Sequence, residues 1–434
     1  MTPLPRIAVA VSGGADSLYT LLSLKEAGYP LVALHGIFGQ PILAEFSEYL
    51  AANGCADHIA AQADGDKALH QLQEKCAALD IPLHVVNFSD LFIEKVIRPF
   101  VLAFAHGATP NPCALCNAEI KFGLLLEKAL ELGADILATG HYSRLVTEPP
   151  TLSEAGDKEQ LPESVGYSIP VAGHYPALLQ GADSSKDQSY FLALTPVANL
   201  ARAIFPLGSI TKNEVLATLE RRGITPPVPG ESQEICFIPG TLYREFLPFM
   251  AQKLGIALPG EGAMLLPDGK QAARHRGLWN YTEGQRRGLG VAWSEPLYVL
   301  GKDAAHNTLH IGPKPALRCD SLFCAEMNIL FPPQFWPSAE GQGAECFESA
   351  PPRPLPTHRV WAKTRYRSTL RLATVTLDFS ANPACPGATV RFQEPDSAVA
   401  PGQLCALYIP VTSSPTSPMR LVAGGIIASV AGTW

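Results

Sequence analysis

Up to about residue 145, short apolar runs alternate with longer stretches of helical rhythm. The runs Ile7–Val11, Leu31–Gly36, Leu83–Asn87 and Ile136–Thr139 read as buried strands, and Leu18–Ala27, Asp66–Leu79 and Phe122–Leu132 read as helices. Strands separated by helices predict a parallel, doubly wound α/β sheet with right-handed crossovers, whose ligands sit at the carboxyl ends of the strands. Residues 146–175 are rich in Pro, Glu, Ser and Gly and read as a long surface loop or hairpin. Helical rhythm returns at Asp187–Leu194, Val197–Ile204, Thr211–Arg222 and Leu242–Leu254, with Thr211 and Glu214 spaced as a capping box.

From about Ala257 the texture changes. Tyr298–Leu300, Thr308–Ile311, Arg359–Lys363, Leu370–Leu377, Thr389–Phe392, Leu404–Tyr408 and Gly424–Ser429 read as short strands between turn signals, which predicts antiparallel β-barrel modules. The Pro-rich stretch Phe331–Pro356 reads as a linker. The expected domains are 1–205, an adenylating domain; 206–256, a helical segment; 257–315, a small β domain; and 316–434, a C-terminal barrel.

The first chemistry lies where the first strand runs into Ser12-Gly13-Gly14-Ala15-Asp16-Ser17 and then a helix. A strand, a small-residue turn and a helix N-terminus make an anion site, because backbone N–H groups and the helix dipole point at one spot. Gly13 and Gly14 allow close approach of a phosphate. Asp16 would repel a bare phosphate and makes sense with Mg²⁺ between them. No Gly-Lys-Ser/Thr follows, so this is not a Walker loop. Gly140 and His141 end the strand Ile136–Thr139 and are expected to face the same crevice, Gly140 letting a nucleotide come close.

The second motif is Thr109-Pro-Asn-Pro-Cys-Ala-Leu-Cys-Asn117, with a helix expected to begin near Asn117. A thiol at a helix N-terminus has its thiolate favoured, and Lys121 adds positive charge one turn on. The third is Gly230-Glu-Ser-Gln-Glu-Ile-Cys-Phe-Ile238. By itself, Cys236 between Ile235 and Phe237 reads as a core residue. Four chemistries compete for these thiols. Structural zinc needs four ligands, and there is only one Cys-x-x-Cys. A thioredoxin-like pair would have no use for a nucleotide loop. Persulfide transfer uses one thiol to carry sulfur and another to release it, leaving a disulfide. A [4Fe–4S] cluster on Cys113, Cys116 and Cys236 would leave one iron open. The last two use the same residues.

Composition adds limits. Of 434 residues 47% are hydrophobic, enough for two or three cores. The formal net charge of −7 argues mildly against nucleic acid, although Arg274, His275, Arg276, Arg286 and Arg287 form a local basic region. No run reaches membrane-span length and the N-terminus lacks signal-peptide character, so a cytoplasmic protein with no membrane partner is expected. Ten cysteines in such a chain do not suggest a structural disulfide framework.

Together the motifs resemble the tRNA-specific 2-thiouridylases of the pyrophosphate-loop ATP pyrophosphatase superfamily. The match also takes in Ala138-Thr-Gly-His-Tyr142, Lys186-Asp-Gln-Ser-Tyr-Phe-Leu192, Phe205-Pro-Leu-Gly208, Tyr281 to Gly290, Arg365-Tyr-Arg367 and Pro401-Gly-Gln403. The resemblance implies an adenine nucleotide alpha hydrolase-like fold. It implies ATP and Mg²⁺ as cofactors and adenylation of the 2-oxygen of the wobble uridine in a tRNA anticodon loop. Sulfur would then arrive from a persulfide-donating cysteine desulfurase or relay protein. It places ATP at Ala10, Val11, Ser12, Gly13, Gly14, Ala15, Asp16, Ser17, Gly36 and Gly140, and Mg²⁺ at Asp16. It makes Cys116 the nucleophile and Cys236 the persulfide carrier. It sets Asn111, Pro112 and Cys113 at the target base, and His141, Lys186, Asp187, Gln188, Arg365, Tyr366 and Gln403 at the tRNA.

The chain departs from the family in two places. Family members carry Asp or Cys at position 113, and the cysteine here supplies a third thiol in place of a carboxylate base. His35–Ala63 matches poorly, with Gly36 where a methionine is usual, and the insert 146–174 is long. Two rivals remain. An adenylating amidotransferase or synthetase would not need Cys116 and Cys236, and a non-catalytic RNA-binding protein would not need Asp16.

Overall fold

The computed structural model describes residues 4–53, 65–148, 175–228, 235–238, 242–339, 356–412, 414 and 416–432. Most of the insert (149–174), the start of the third motif (Gly230–Glu234) and residues 340–355 of the Pro-rich stretch lie outside them. The chain divides into two compact units: 1–96 with 113–246 and 414–420, and 97–112 with 247–413 and 421–434.

The first unit holds strands β1 (Ile7–Ala10), β2 (Leu31–Ile37), β3 (Leu83–Asn87), β4 (Ile136–Ala138), the hairpin arms β5 (Ser143–Glu148) and β6 (Tyr175–Gln180), and β7 (Ala203–Ile204). The sheet order is β3-β2-β1-β4-β7, with every pairing parallel. The chain builds outward from β1 through β2 to β3, then returns to place β4 on the other side of β1. That reversal opens a crevice at the carboxyl ends of β1 and β4, the usual ligand position in such sheets.

Helix α1 (Ala15–Glu26) covers the sheet through Leu18, Leu21 and Leu24, which share a core with Ile7, Val9, Ala33, Ile136 and Ala138. Each fully buried leucine contributes roughly 2 kcal/mol. The helix stops at Gly28, whose φ of 80° suits a residue without Cβ. Val215 and Leu219 of the helix Lys212–Arg221 join the same core. The expected capping box is formed: Glu214 N–H donates to Thr211 Oγ1, and Thr211 N–H donates to Glu214 Oε2 at 2.7 Å.

The periodicity misleads at three places. Gln40–Ala52 is a helix that the weakly matching region after β2 concealed. Val197–Ile204 is not one helix: it stops at Leu200, and Ala203–Ile204 pair with β4 as the sheet's fifth strand. Asp187–Leu194 shrinks to one tight turn at Ser189–Leu192. In the last two, sheet pairing and side-chain hydrogen bonds override weak local propensity.

In the second unit, β8 (Gly262–Leu265), β9 (Gln271–His275), β10 (Leu297–Asp303) and β11 (Thr308–Pro313) make a sheet ordered β10-β11-β8-β9. Its β11–β8 pair is parallel, so this module is not wholly antiparallel as expected. Strands β12 (Arg318–Ile329), β13 (Thr357–Lys363), β14 (Arg371–Asp378), β15 (Gly387–Ser397), β16 (Leu404–Pro410) and β17 (Met419–Gly432) follow the order β12-β15-β14-β13-β16-β17, and β12 also pairs with β17. Six strands thus close into a barrel, filled by Leu322, Met327, Val360, Val375, Val390 and Leu407 among others.

Candidate active site

Between β1 and α1 the chain turns through Ser12–Gly14. Gly13 has φ of 84°, and its carbonyl accepts from Val228 N–H at 3.1 Å. The turn is braced from within: Ser17 Oγ donates to Gly14 O at 3.0 Å, and Ser12 N–H donates to Ser17 Oγ at 3.2 Å. His35 Nδ1 lies 2.7 Å from Val11 O and ties the strand end to β2. The amides that open α1 have no carbonyl one turn earlier, so they are the donors available to an anion.

Asp16 is the charged side chain of this loop. Its Oδ1 accepts from Tyr142 Oη at 2.7 Å and from Lys212 Nζ at 2.7 Å. Lys212 is a residue the sequence reading passed over, because the capping box beside it accounted for the motif. It is buried at the first position of its helix, and its amide donates to Asp183 Oδ2 at 3.0 Å. A cation is therefore built into the anion site.

Gly140 and Gly36 also face close neighbours within the protein. A Cβ on Gly140 would lie 3.0 Å from the Asp16 carbonyl carbon and Cβ, so the glycine lets the end of β4 touch the loop itself. A Cβ on Gly36 would run into the Phe38 ring at 2.4 Å.

His141, one residue further, is buried rather than presented to a ligand. Asn117 Nδ2 donates to Phe191 O at 3.0 Å, so Asn117 Oδ1 accepts from His141 Nε2 at 3.2 Å. His141 Nδ1 then accepts from Thr139 Oγ1 at 2.6 Å. Burial, reinforced by Lys121, holds its pKa well below the usual value, so the ring is neutral. This corrects the expected tRNA contact, because neither ring nitrogen is free. His141 instead braces the residue after Cys116.

The thiols lie in the same unit. The helix begins at Pro112 rather than near Asn117, so Cys113 and Cys116 stand within its first turns. From Cys116 to Leu124 it widens into π-type turns, a rare geometry frequent at functional sites. Burial works against the favoured thiolates expected here. Burial pushes Cys113 up to about 11 and Cys116 up to about 12, and it raises Cys236 as well. Lys121 opposes the rise at all three sulfurs, and a charge on Cys236 is felt at both of the others. Cys236 is exposed as a residue, although the surroundings of its sulfur are close enough to raise its pKa, while Phe237 and Ile238 beside it are buried. The eight described cysteines are all free. Among the described residues, no three Cys, His, Asp or Glu side chains are gathered closely enough to hold a metal ion.

The expected tRNA residues divide by environment. Asp187 is buried and accepts from Gly181 N, Ser189 N and Ser189 Oγ at 2.9–3.1 Å, so it builds a turn and has no face for a ligand. Gln188 Oε1 accepts from Tyr142 N–H at 3.0 Å. Lys186 is half-buried beside them. In the second unit, Arg365 Nη2 donates to Ser397 O at 3.0 Å, and Lys363 Nζ lies 5.6 Å from the centre of the Tyr366 ring. Gln403 Nε2 donates to the carbonyls of Thr109 and Pro110 at 3.0 and 3.3 Å, just before Asn111 and Pro112. Arg274, Arg276, Arg286 and Arg287 are exposed. His275 is buried, its Nδ1 accepting from Gly277 N–H and its Nε2 donating to Asn307 O, each at 3.0 Å, and it does not belong to the basic surface.

Comparison with known proteins agrees with this layout. Residues 5–240 match the tRNA methyl transferase HUP domain, 249–313 its PRC-barrel domain and 348–413 the aminomethyltransferase beta-barrel domain. A tRNA-specific 2-thiouridylase MnmA from Oleidesulfovibrio alaskensis is 43% identical over 98% of this chain and 99% of its own length. Its counterpart in Lawsonia intracellularis is 40% identical over the same shares. A solved U34-tRNA thiolase NcsA from Methanococcus maripaludis, with its [4Fe-4S] cluster, aligns over 58% of this chain and 66% of its own at 15% identity and TM-score 0.29, a likeness too slight to carry weight.

Proposed function

The chain belongs to the tRNA-specific 2-thiouridylase family, and we propose that it activates the 2-oxygen of the tRNA wobble uridine with ATP and replaces it with sulfur carried on Cys236. The observation that carries this reading is that one strand end serves both halves of the chemistry. Gly140 packs on Asp16 of the nucleotide loop, and His141 binds Asn117, next to Cys116.

The loop amides and Lys212 would receive the triphosphate, and Tyr142 would keep Asp16 oriented. Asp16 is the residue here that would hold Mg²⁺, which would supply positive charge to the phosphates. Attack of the uridine 2-oxygen on the α-phosphorus of ATP gives an adenylate and releases pyrophosphate. The terminal sulfur of a Cys236 persulfide, supplied by a persulfide-donating protein, attacks C2 and AMP leaves. The Cys116 thiolate then attacks the Cys236 sulfur. The S–S bond to the transferred sulfur breaks, 2-thiouridine departs, and a Cys116–Cys236 disulfide remains for an external thiol to reduce. Lys121 favours the Cys116 thiolate against its burial. The base must leave its stack to be reached, and an anticodon loop permits that at low cost.

Cys113, Cys116 and Cys236 are the residues that would hold a [4Fe–4S] cluster, although among the described residues no three such side chains gather around a single metal ion; the persulfide route uses only Cys116 and Cys236. The test is thiolation of tRNA by the full chain with ATP and a persulfide donor. Cys116→Ser and Cys236→Ser should each abolish 2-thiouridine formation while ATP binding survives. A Cys236→Ser variant of near-normal activity would overturn the sulfur-carrier assignment.

A further inference from the structure

Deep in the second unit, Glu283 and Lys302 form an ion pair with side chains only 2% and 1% exposed. Their nearest oxygen and nitrogen are 3.5 Å apart, which is loose for a pair so deeply buried. Burying two charges costs several kcal/mol per ion, and well-packed apolar residues generally serve stability as well. What the pair adds is a grip on a third residue. Lys302 Nζ donates to Thr109 Oγ1 at 2.9 Å, and Thr109 Oγ1 donates to Glu283 Oε2 at 3.1 Å. Lys302 is itself fixed by the Tyr281 carbonyl at 3.1 Å.

Every polar group of Thr109 is used. Its amide donates to Pro401 O at 2.8 Å, and its carbonyl accepts from Gln403 Nε2 at 3.0 Å. Gln403 also reaches the next carbonyl, that of Pro110. Gly402 makes this approach feasible. It has φ of 90°, and a Cβ there would lie 2.9 Å from both Thr109 N and Ala108 Cβ. Pro110 and Pro112 then stiffen the chain, and the next residue is Cys113.

We propose that Glu283, Lys302 and Gln403 are positioning residues that fix the Thr109–Pro112 segment leading into Cys113 and Cys116, and that Gln403 acts through this segment's carbonyls rather than by reading tRNA. The inference rests on the thiolation reading above. It accounts for a buried ion pair that stability alone does not require, and it gives the Tyr281-Thr-Glu283 motif a role.

The test uses the full chain and four variants: Thr109→Val, Thr109→Ser, Gln403→Leu and Lys302→Met. Misplacing reacting groups by about 1 Å costs on the order of a hundredfold in rate. Thr109→Val, Lys302→Met and Gln403→Leu should therefore lower the single-turnover thiolation rate at saturating tRNA and ATP by about tenfold or more. Dissociation constants for tRNA should stay within about twofold, and Thr109→Ser should restore the rate. Alkylation of Cys113 by iodoacetamide, followed by mass spectrometry, should change in Thr109→Val and return in Thr109→Ser. That readout does not depend on what the enzyme thiolates. A folded Thr109→Val with normal rate and normal Cys113 alkylation overturns the proposal. So does a Gln403→Leu variant whose whole defect lies in tRNA affinity, and this variant decides if Thr109→Val does not fold. Wild-type protein that makes no 2-thiouridine, yet shows the alkylation pattern, sinks the functional reading and leaves the positioning intact.

Discussion

Lys212 Nζ lies 2.7 Å from Asp16 Oδ1, across 196 residues of sequence. The helix carrying Lys212 packs on the same core as α1, so the cation arrives at the nucleotide loop as a consequence of core packing. A charged hydrogen bond is worth about 1.5–3 kcal/mol, or roughly ten- to a hundredfold in affinity. Lys212→Ala should weaken ATP binding by that factor, measured by calorimetry, and leave tRNA affinity unchanged. Unaltered ATP affinity would remove Lys212 from the site.

Gly140 offers a steric test. Its missing Cβ would meet Asp16 backbone atoms at 3.0–3.2 Å, and backbone yields less readily than a side-chain tip. Gly140→Ala should push the loop away at a cost of about 1–3 kcal/mol. ATP affinity should fall, whereas alkylation of Cys236 should not change.

Lys121 should control the thiols through charge alone. Burial raises Cys113 and Cys116, so at neutral pH little thiolate is present and alkylation should accelerate with rising pH. Lys121→Met removes the one favourable charge, so it raises these pKa values further. Its alkylation profile should shift to higher pH, with a slower rate at pH 7. A profile that moved to lower pH would contradict the electrostatic arrangement.

Asp187 separates structure from recognition. Its carboxylate is buried on two backbone amides and a hydroxyl. Asp187→Ala should cost about 1–3 kcal/mol or more of stability by stranding those donors, seen as a lower Tm. A stable variant with weakened tRNA binding would restore the tRNA-contact reading.

Sequence alone determined the parts whose signal is local. A strand, a glycine turn and a helix start within ten residues declare an anion site because backbone geometry there needs no distant partner. The capping box at Thr211 and Glu214, the parallel sheet of the first unit and the strand-rich second half were legible for the same reason. Tertiary structure decided everything that depends on what faces what. No spacing could reveal that Lys212 meets Asp16, that Gly140 packs against Asp16, or that His141 and Asp187 are enclosed. The thiols show the limit most clearly. A helix start suggests a favoured thiolate, but burial reverses the sign, and burial is set by segments far apart in the chain that pack around Cys113 and Cys116. The ion pair of Glu283 and Lys302 was invisible for the same reason, since desolvation and long-range contact have no signature in residue order.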